Sequence, residues 1–347
     1  MLTELGRMNL PISPISADTS IGACVTVLAP TEAEVCPEAP VPARASKVQL
    51  VSAALLVALP LVAVVIAVVI FWNHGIGWLD LGLGVGMYLF TGLGLSLGFH
   101  RLFSHRSFVP ARWLKVTLAI AGTMGIEGSV TSWVSQHRRH HAYTDRAGDP
   151  HSPVPSGPGL NHQLRGLWHA HAGWLFVPNE VNAERWSVDL LEDPDIAFVS
   201  RTVILWTVLS FLIPTAIGGI VIGTVWGALL AGLWGGVIRV ALLHHVTWGT
   251  NSLCHTFGKQ PYGDKDRSTN FAPLALLSFG DAWHNSHHAF PRSARHGVDT
   301  GQLDISADVI RLFEKLGWAT EVHWPRRSVM ARRRELVASG QSRTSGL

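Results

Sequence analysis

Nine of the chain's eighteen histidines fall into a pattern that could do chemistry. Two groups have the form His-x-x-His-His: His137, His140 and His141 in HRRHH, and His284, His287 and His288 in HNSHH. His100 and His105 bound the segment HRLFSH, and His255 ends NSLCH. On a helix, positions i, i+3 and i+4 share a face, so each HxxHH is expected to aim three imidazoles at one point. Neutral imidazole is a good ligand for iron, zinc, copper or nickel. A lone zinc takes about four ligands, so nine histidines point to two metal ions. The Glu-x-x-His pairs of soluble di-iron carboxylate bundles are absent. The set reads as a histidine-rich binuclear site, suited to iron and O2.

These residues need a scaffold, and the composition says which kind. Of 347 residues, 48% are hydrophobic and only 15% charged, against about 25% charged in an average soluble domain. Val48 to Trp72 has no charged residue, and neither does Leu81 to Phe99. Thr202 to Ile238 is uncharged over a length suited to two spans, with Pro214, Gly218, Gly219 and Gly223 near its middle, where a hairpin is expected to turn. The expected spans are therefore about 48–72, 79–99, 200–219 and 224–243, each long enough for a ~30 Å hydrocarbon core. The shorter run Val116–Ile126 reads as an amphipathic segment on the membrane surface. Residues 1–46, rich in Pro, Ala, Thr and Ser, read as a disordered tail without a secretory signal, and 326–347 as a basic C-terminal tail.

The connections after the first and third spans carry no Lys or Arg, whereas 101–198 and the C-terminal region carry many. The positive-inside rule then places both termini and the middle segment in the cytoplasm. All nine histidines land on that same side, although the topology used only Lys and Arg. The expected fold is an all-α integral membrane protein, four transmembrane helices under a cytosolic helical cap. A soluble helical protein with buried hairpins is disfavoured by the length of the uncharged runs. A net charge of +3 gives no reason to expect nucleic acid, and three scattered cysteines (Cys24, Cys36, Cys254) offer no disulfide framework.

The boxes HRLFSH, HRRHH and HNSHH, with NSLCH before the last, resemble the membrane-bound acyl-CoA desaturases, and most of all the actinobacterial stearoyl-CoA Δ9-desaturases. The flanking segments GDPHSP, HAGWLF, HHVTWGTNS and SARHG extend the likeness over roughly residues 50–325. The resemblance implies that the nine histidines ligate two iron ions, with Asn251 completing one shell through a water. It implies O2-dependent insertion of a cis double bond, at Δ9, into a long-chain acyl group. It also implies two electrons per turnover from outside, and a bent apolar tunnel kinked at Thr247 and Trp248. Asp145, Asp149, His151 and His171 are expected to support ligands by hydrogen bonding. The expected setting is a bacterial cell membrane, with the site facing the cytoplasm and membrane lipid around it.

The chain departs from the pattern in places. An Arg-Asp pair before the second box is Ser135-Gln136 here, a later basic pair is Pro178-Asn179, and a Gln at the tunnel bend is Glu127. CoA contacts therefore do not carry over; Arg138, Arg139, Arg146 and Arg165 are the candidates for phosphate. CoA is the carrier expected, ahead of acyl carrier protein or a membrane lipid. With no cytochrome b5-like domain appended, the electron donor is expected to be a separate ferredoxin-linked or flavin-containing reductase. Arg326, Arg327 and Arg332–Arg334 are candidates to meet it or lipid headgroups. Two rivals are a membrane hydroxylase of alkane, sterol or lipid, and a metal-binding or transport protein. The second conflicts with spans that are nearly free of charge.

Overall fold

The chain is described here from a computed structural model over residues 45–153, 157–178, 181–263 and 265–339. Of the tail expected over 1–46, residues 1–44 lie outside the described residues, as do Asn179 and the last eight residues.

Four helices are long and apolar enough to cross a membrane: Lys47–Ile70, Trp78–Ser104, Val203–Ile222 and Val225–Leu253. Their outer faces are aliphatic and exposed, as at Val51, Leu55 and Leu59 on the first and Ile204, Val208 and Leu212 on the third. Water would penalise such a surface, and lipid does not. The third and fourth spans form a hairpin that turns at Gly223 and Thr224, at the end of the expected Pro214–Gly223 cluster. Gly223 takes the left-handed conformation (φ +73°) that closes a helix, and the Thr224 hydroxyl accepts the Gly227 N–H at 3.0 Å to open the next. Pro214 stays inside the third span, buried against the fourth.

The spans differ in length, and the difference positions the chemistry. At 1.5 Å per residue, the second and fourth run about 40 Å, roughly 10 Å more than the hydrocarbon core needs. Where the expected second span stopped at 99, the helix continues to Ser104; where the expected fourth stopped at 243, it continues to Leu253. The overhangs carry His100 and Asn251 past the ends of the expected spans, and His255 follows directly. Both helices contain a wider π-helical stretch, Gly94–Ser104 and Leu233–Ile238, a form often found at functional sites. Close packing fixes the first stretch: a Cβ on Gly94 would fall 2.2 Å from the Gly122 nitrogen.

That contact comes from helix Arg112–Thr123. The expected surface segment Val116–Ile126 falls largely in this helix, which buries Leu114, Leu118 and Ala119 against the second span and leaves Trp113 exposed. Helix Val130–Tyr143 lies beside it, capped by the Ser129 hydroxyl, which accepts the Ser132 N–H. The cap core joins Phe99, Phe103, Val134, Ile196 and Ile310. Arg101, fully buried at the end of the second span, pairs with Asp281 at 3.1 Å and Asp304 at 2.9 Å and ties span to cap. One two-residue antiparallel pair, Val109–Pro110 with Ala319–Thr320, is the strand structure among the described residues.

Part of the expected C-terminal tail is ordered. Arg327–Ala338 is a helix, where Arg333 donates to the Tyr262 carbonyl at 2.9 Å and Arg334 bonds the Tyr262 hydroxyl and Asp299. Tethers to the cap give this basic stretch a fixed place that composition alone did not show.

Candidate metal centre

All nine histidines of the four motifs meet under the cap, in two groups. His100, His105, His137, His141 and His287 form one; His140, His255, His284 and His288 form the other. The expectation that each HxxHH serves a single point needs correction. In both boxes the i and i+4 members share a group and the i+3 member joins the other: His137 and His141 against His140, and His284 and His288 against His287. At about 100° of rotation per residue, i+3 and i+4 fall on opposite flanks of i. Two helices set against each other can then exchange their i+3 histidines, and each box bridges both groups.

The rings are arranged with one nitrogen inward and one outward. Facing Nε2 atoms lie 3.0 Å apart for His100 and His287, 2.9 Å for His105 and His137, 2.8 Å for His141 and His287, and 3.0 Å for His284 and His288. The Nε2 atoms of His140 and His255 are buried with no partner. Four of the Nδ1 atoms meet carboxylates: His140 with Asp149 at 3.0 Å, His255 with Asp145 at 3.0 Å, His288 with Asp266 at 3.0 Å, and His100 with Asp281 at 3.2 Å. Such contacts fix the tautomer, so that Nε2 offers its lone pair inward. Burial, then repulsion among the rings, holds His137, His141, His284, His287 and His288 well below the usual imidazole range. They are neutral, as a metal ligand must be. Converging lone pairs, orphaned buried nitrogens and anchored outer nitrogens fit two metal ions.

Of the expected supporting residues, Asp145 and Asp149 are at the groups and His151 packs 4.6 Å from the His140 ring. His171 is not: its nitrogens pair with Ser252 at 3.1 Å and exposed His245 at 3.0 Å. His244 Nε2 donates to the Gly125 carbonyl at 2.9 Å, holding the loop rather than the groups. Asp266, Asp281 and His296 were not anticipated. His296 is fully buried, 4.4 Å from the His287 ring and 3.3 Å from Asp281.

Two of the cavities that adjoin the centre have largely apolar walls. One of about 400 Å³ is lined by Ala53, Leu56, Glu127, Leu175 and Trp248. A smaller one of about 50 Å³ runs past Leu95, Leu243, Val246, Leu277 and Phe279. Both are lined by Trp133, His137, Thr247 and Asn251, so they meet beside the first group. Expected tunnel residues Thr247, Trp248 and Glu127 all lie on these walls. The phosphate candidates fare differently. Arg138 is committed to Asp189 at 2.7 Å and to the carbonyls of Phe103, Ser104 and Trp186, and Arg139 is buried.

Comparison with known proteins agrees with this geometry. The fatty acid desaturase family profile matches residues 76–311. A hex-5-enoyl-[acyl-carrier protein] acetylenase of Moorena producens (strain JHB) is 40% identical over 269 residues, 77% of this chain and 84% of that protein. An sn-1 stearoyl-lipid 9-desaturase of Anabaena variabilis is 36% identical over 255 residues, 73% of this chain and 87% of that one. An acyl-CoA 5-desaturase of Anemone leveillei is 36% identical over 253 residues, 72% and 73%. The chain belongs to the membrane fatty acid desaturase family.

Proposed function

We propose that the protein is an O2-dependent desaturase that inserts a cis double bond, at Δ9, into a saturated long-chain acyl group carried on CoA. The observation that carries this reading is the junction of two apolar-walled cavities against a pair of inward-facing histidine groups. The five-histidine group would hold one iron ion, and the four-histidine group, with Asn251 through a water, the other. Bound there, the two ions supply the oxidising power of O2 that removes two hydrogens from neighbouring methylenes. Per turnover, one saturated bond, O2, two electrons and two protons become one alkene and two waters.

The chain's own residues supply position and shelter. A methylene chain offers no polar handle at the reacting carbons, so only the cavity's shape can select them. Trp133 and Thr247, shared by both cavities, stand where the chain would bend beside His137. Burial of the site excludes water from the reaction. Electrons come from a separate ferredoxin-linked or flavin-containing reductase. On the positive-inside argument, the histidine groups face the cytoplasm of a bacterial cell membrane.

The carrier is tested directly, since the relatives' names span acyl carrier protein, lipid and CoA. Purified protein with a competent reductase is given stearoyl-CoA, stearoyl-acyl carrier protein and a stearoyl-lipid in parallel. Oleoyl product from the CoA ester alone supports the full proposal. Product from another carrier refutes the carrier and keeps the desaturase. Hydroxylated product from any of them overturns the reaction.

A further inference from the structure

A carboxyl group stands in the wall of the larger cavity. Glu127 is held there by a loop that is unusually well fastened. Buried Arg239 of the fourth span donates to the Met124 carbonyl at 3.0 Å, and Ser210 of the third donates to the same oxygen at 2.7 Å. His244 bonds the Gly125 carbonyl at 2.9 Å. Between these anchors Ile126 takes φ +65°, a left-handed conformation that a β-branched side chain rarely adopts. Strain of this kind persists only where the surroundings enforce it, and it clusters at functional sites. Its effect is to turn Glu127 toward the point where the cavities meet.

The carboxyl is buried with few partners. Trp133 Nε1 donates to Oε2 at 3.0 Å, while Oε1 is buried without a hydrogen-bond partner. The neighbouring Thr247 hydroxyl stands beside Glu127 and 3.1 Å from the Leu243 carbonyl. A hydroxyl both donates and accepts, so it can serve a carboxylate or receive the proton of a carboxylic acid. The titratable groups sharing this wall are His137, His151 and His244, and the first span adds only uncharged Gln49 and Ser52. Among the described residues no Lys or Arg lines the cavity, and Arg239 beyond His244 is saturated by carbonyls and Ser210.

We propose that Glu127 works as a neutral carboxylic acid in the acyl cavity, and that its proton is what lets an apolar chain pass the bend. This rests on the acyl reading of the cavity. An ionised carboxylate at this position would lie against methylenes with neither water nor a cation to stabilise it, an arrangement far costlier than a neutral acid in the same place. Burial pushes the Glu127 carboxyl up to about 7, against smaller opposing effects of Trp133 and Thr247. Acyl affinity is therefore linked to one proton near neutral pH.

The test uses the full-length, metal-loaded protein in detergent and methyl palmitate, a probe with no titratable group. Wild-type affinity is expected to fall about tenfold per pH unit above pH ~7, the slope of a single linked proton. E127Q puts an isosteric, permanently neutral amide at the bend and is expected to lose that slope. Infrared difference spectra should show a neutral carboxylic acid band at pH 6 that fades through pH 7 and is missing from E127Q. A slope identical in the two proteins, or no E127Q-sensitive acid band at pH 6, overturns the proposal. If neither protein binds methyl palmitate at any pH, the acyl reading of the cavity falls instead, and the band alone decides the state of Glu127.

Discussion

Replacing Asp149 by Asn should loosen one metal ion and spare the other. The Asp149 carboxylate is fully buried and both its oxygens lie 3.0 Å from His140 Nδ1. Each oxygen also accepts a backbone N–H, from Asp145 at 2.8 Å and His151 at 3.1 Å. Burial alone would raise this carboxyl, but charge and hydrogen bonding from His140 overcome it and hold it well below the usual range. Asn keeps the shape, loses the charge-assisted bond, and turns an NH2 toward a donor. Loss of such an outer partner weakens metal binding about 10–100-fold, or about 1.4–2.7 kcal/mol. Because His140 belongs to the four-histidine group, the deficit should fall there. Chelator titration of purified protein, with iron counted by mass spectrometry, should show one of two ions leaving early in D149N. D281N should instead loosen the ion beside His100. Equal weakening of both ions by D149N, or weakening of neither, would refute the division into two groups.

Three further outcomes follow from the packing. Arg138→Ala removes the Asp189 pair and three carbonyl contacts and should cost about 1–3 kcal/mol, read as a lower midpoint in thermal unfolding in detergent. Burial raises Asp189, but hydrogen bonds from Arg138 and Arg106 bring it from 3.8 to about 2. A depressed folded value means that this stabilisation is complete above pH 3.8 and lost as pH falls toward about 2, so the gap between wild type and R138A should close in that window. Gly218→Ala sets a Cβ 2.2 Å from that of Ala231; it should destabilise the third and fourth spans by about 1–3 kcal/mol, seen as earlier unfolding in a denaturing detergent titration. Phe279→Ala should open the small cavity, where the ring now sits 2.2 Å from a would-be Gly92 Cβ, and shift product profiles toward longer chains.

Much of this was legible in the sequence because its signals are local. Uncharged runs give spans whatever their neighbours do, and i, i+3, i+4 spacing puts histidines on one side of a helix. What local pattern could not give was the partition between groups. That depends on two helices facing each other so that His140 and His287 cross over. Nor could it give Asp266 and Asp281, which carry no motif and become supports only when a distant loop folds over His288 and His100. His171 shows the converse: it sits in a motif-like segment, yet the fold sends it to Ser252 and His245. Helix ends were misjudged for a physical reason as well. Hydropathy marks where lipid ends, while the second and fourth helices continue because the cap buries their overhangs.

The central claim is that the paired histidine groups desaturate an acyl chain. Its most direct test is to express the protein, with a competent reductase, in a host without its own desaturase. Palmitate and stearate are supplied, and total fatty acids are analysed by mass spectrometry. Wild type and the exposed-site variant H245A should yield new cis-Δ9 monounsaturated acids, and H140A none. Hydroxylated acids from the wild type, or unsaturated product from H140A equal to wild type, would contradict it.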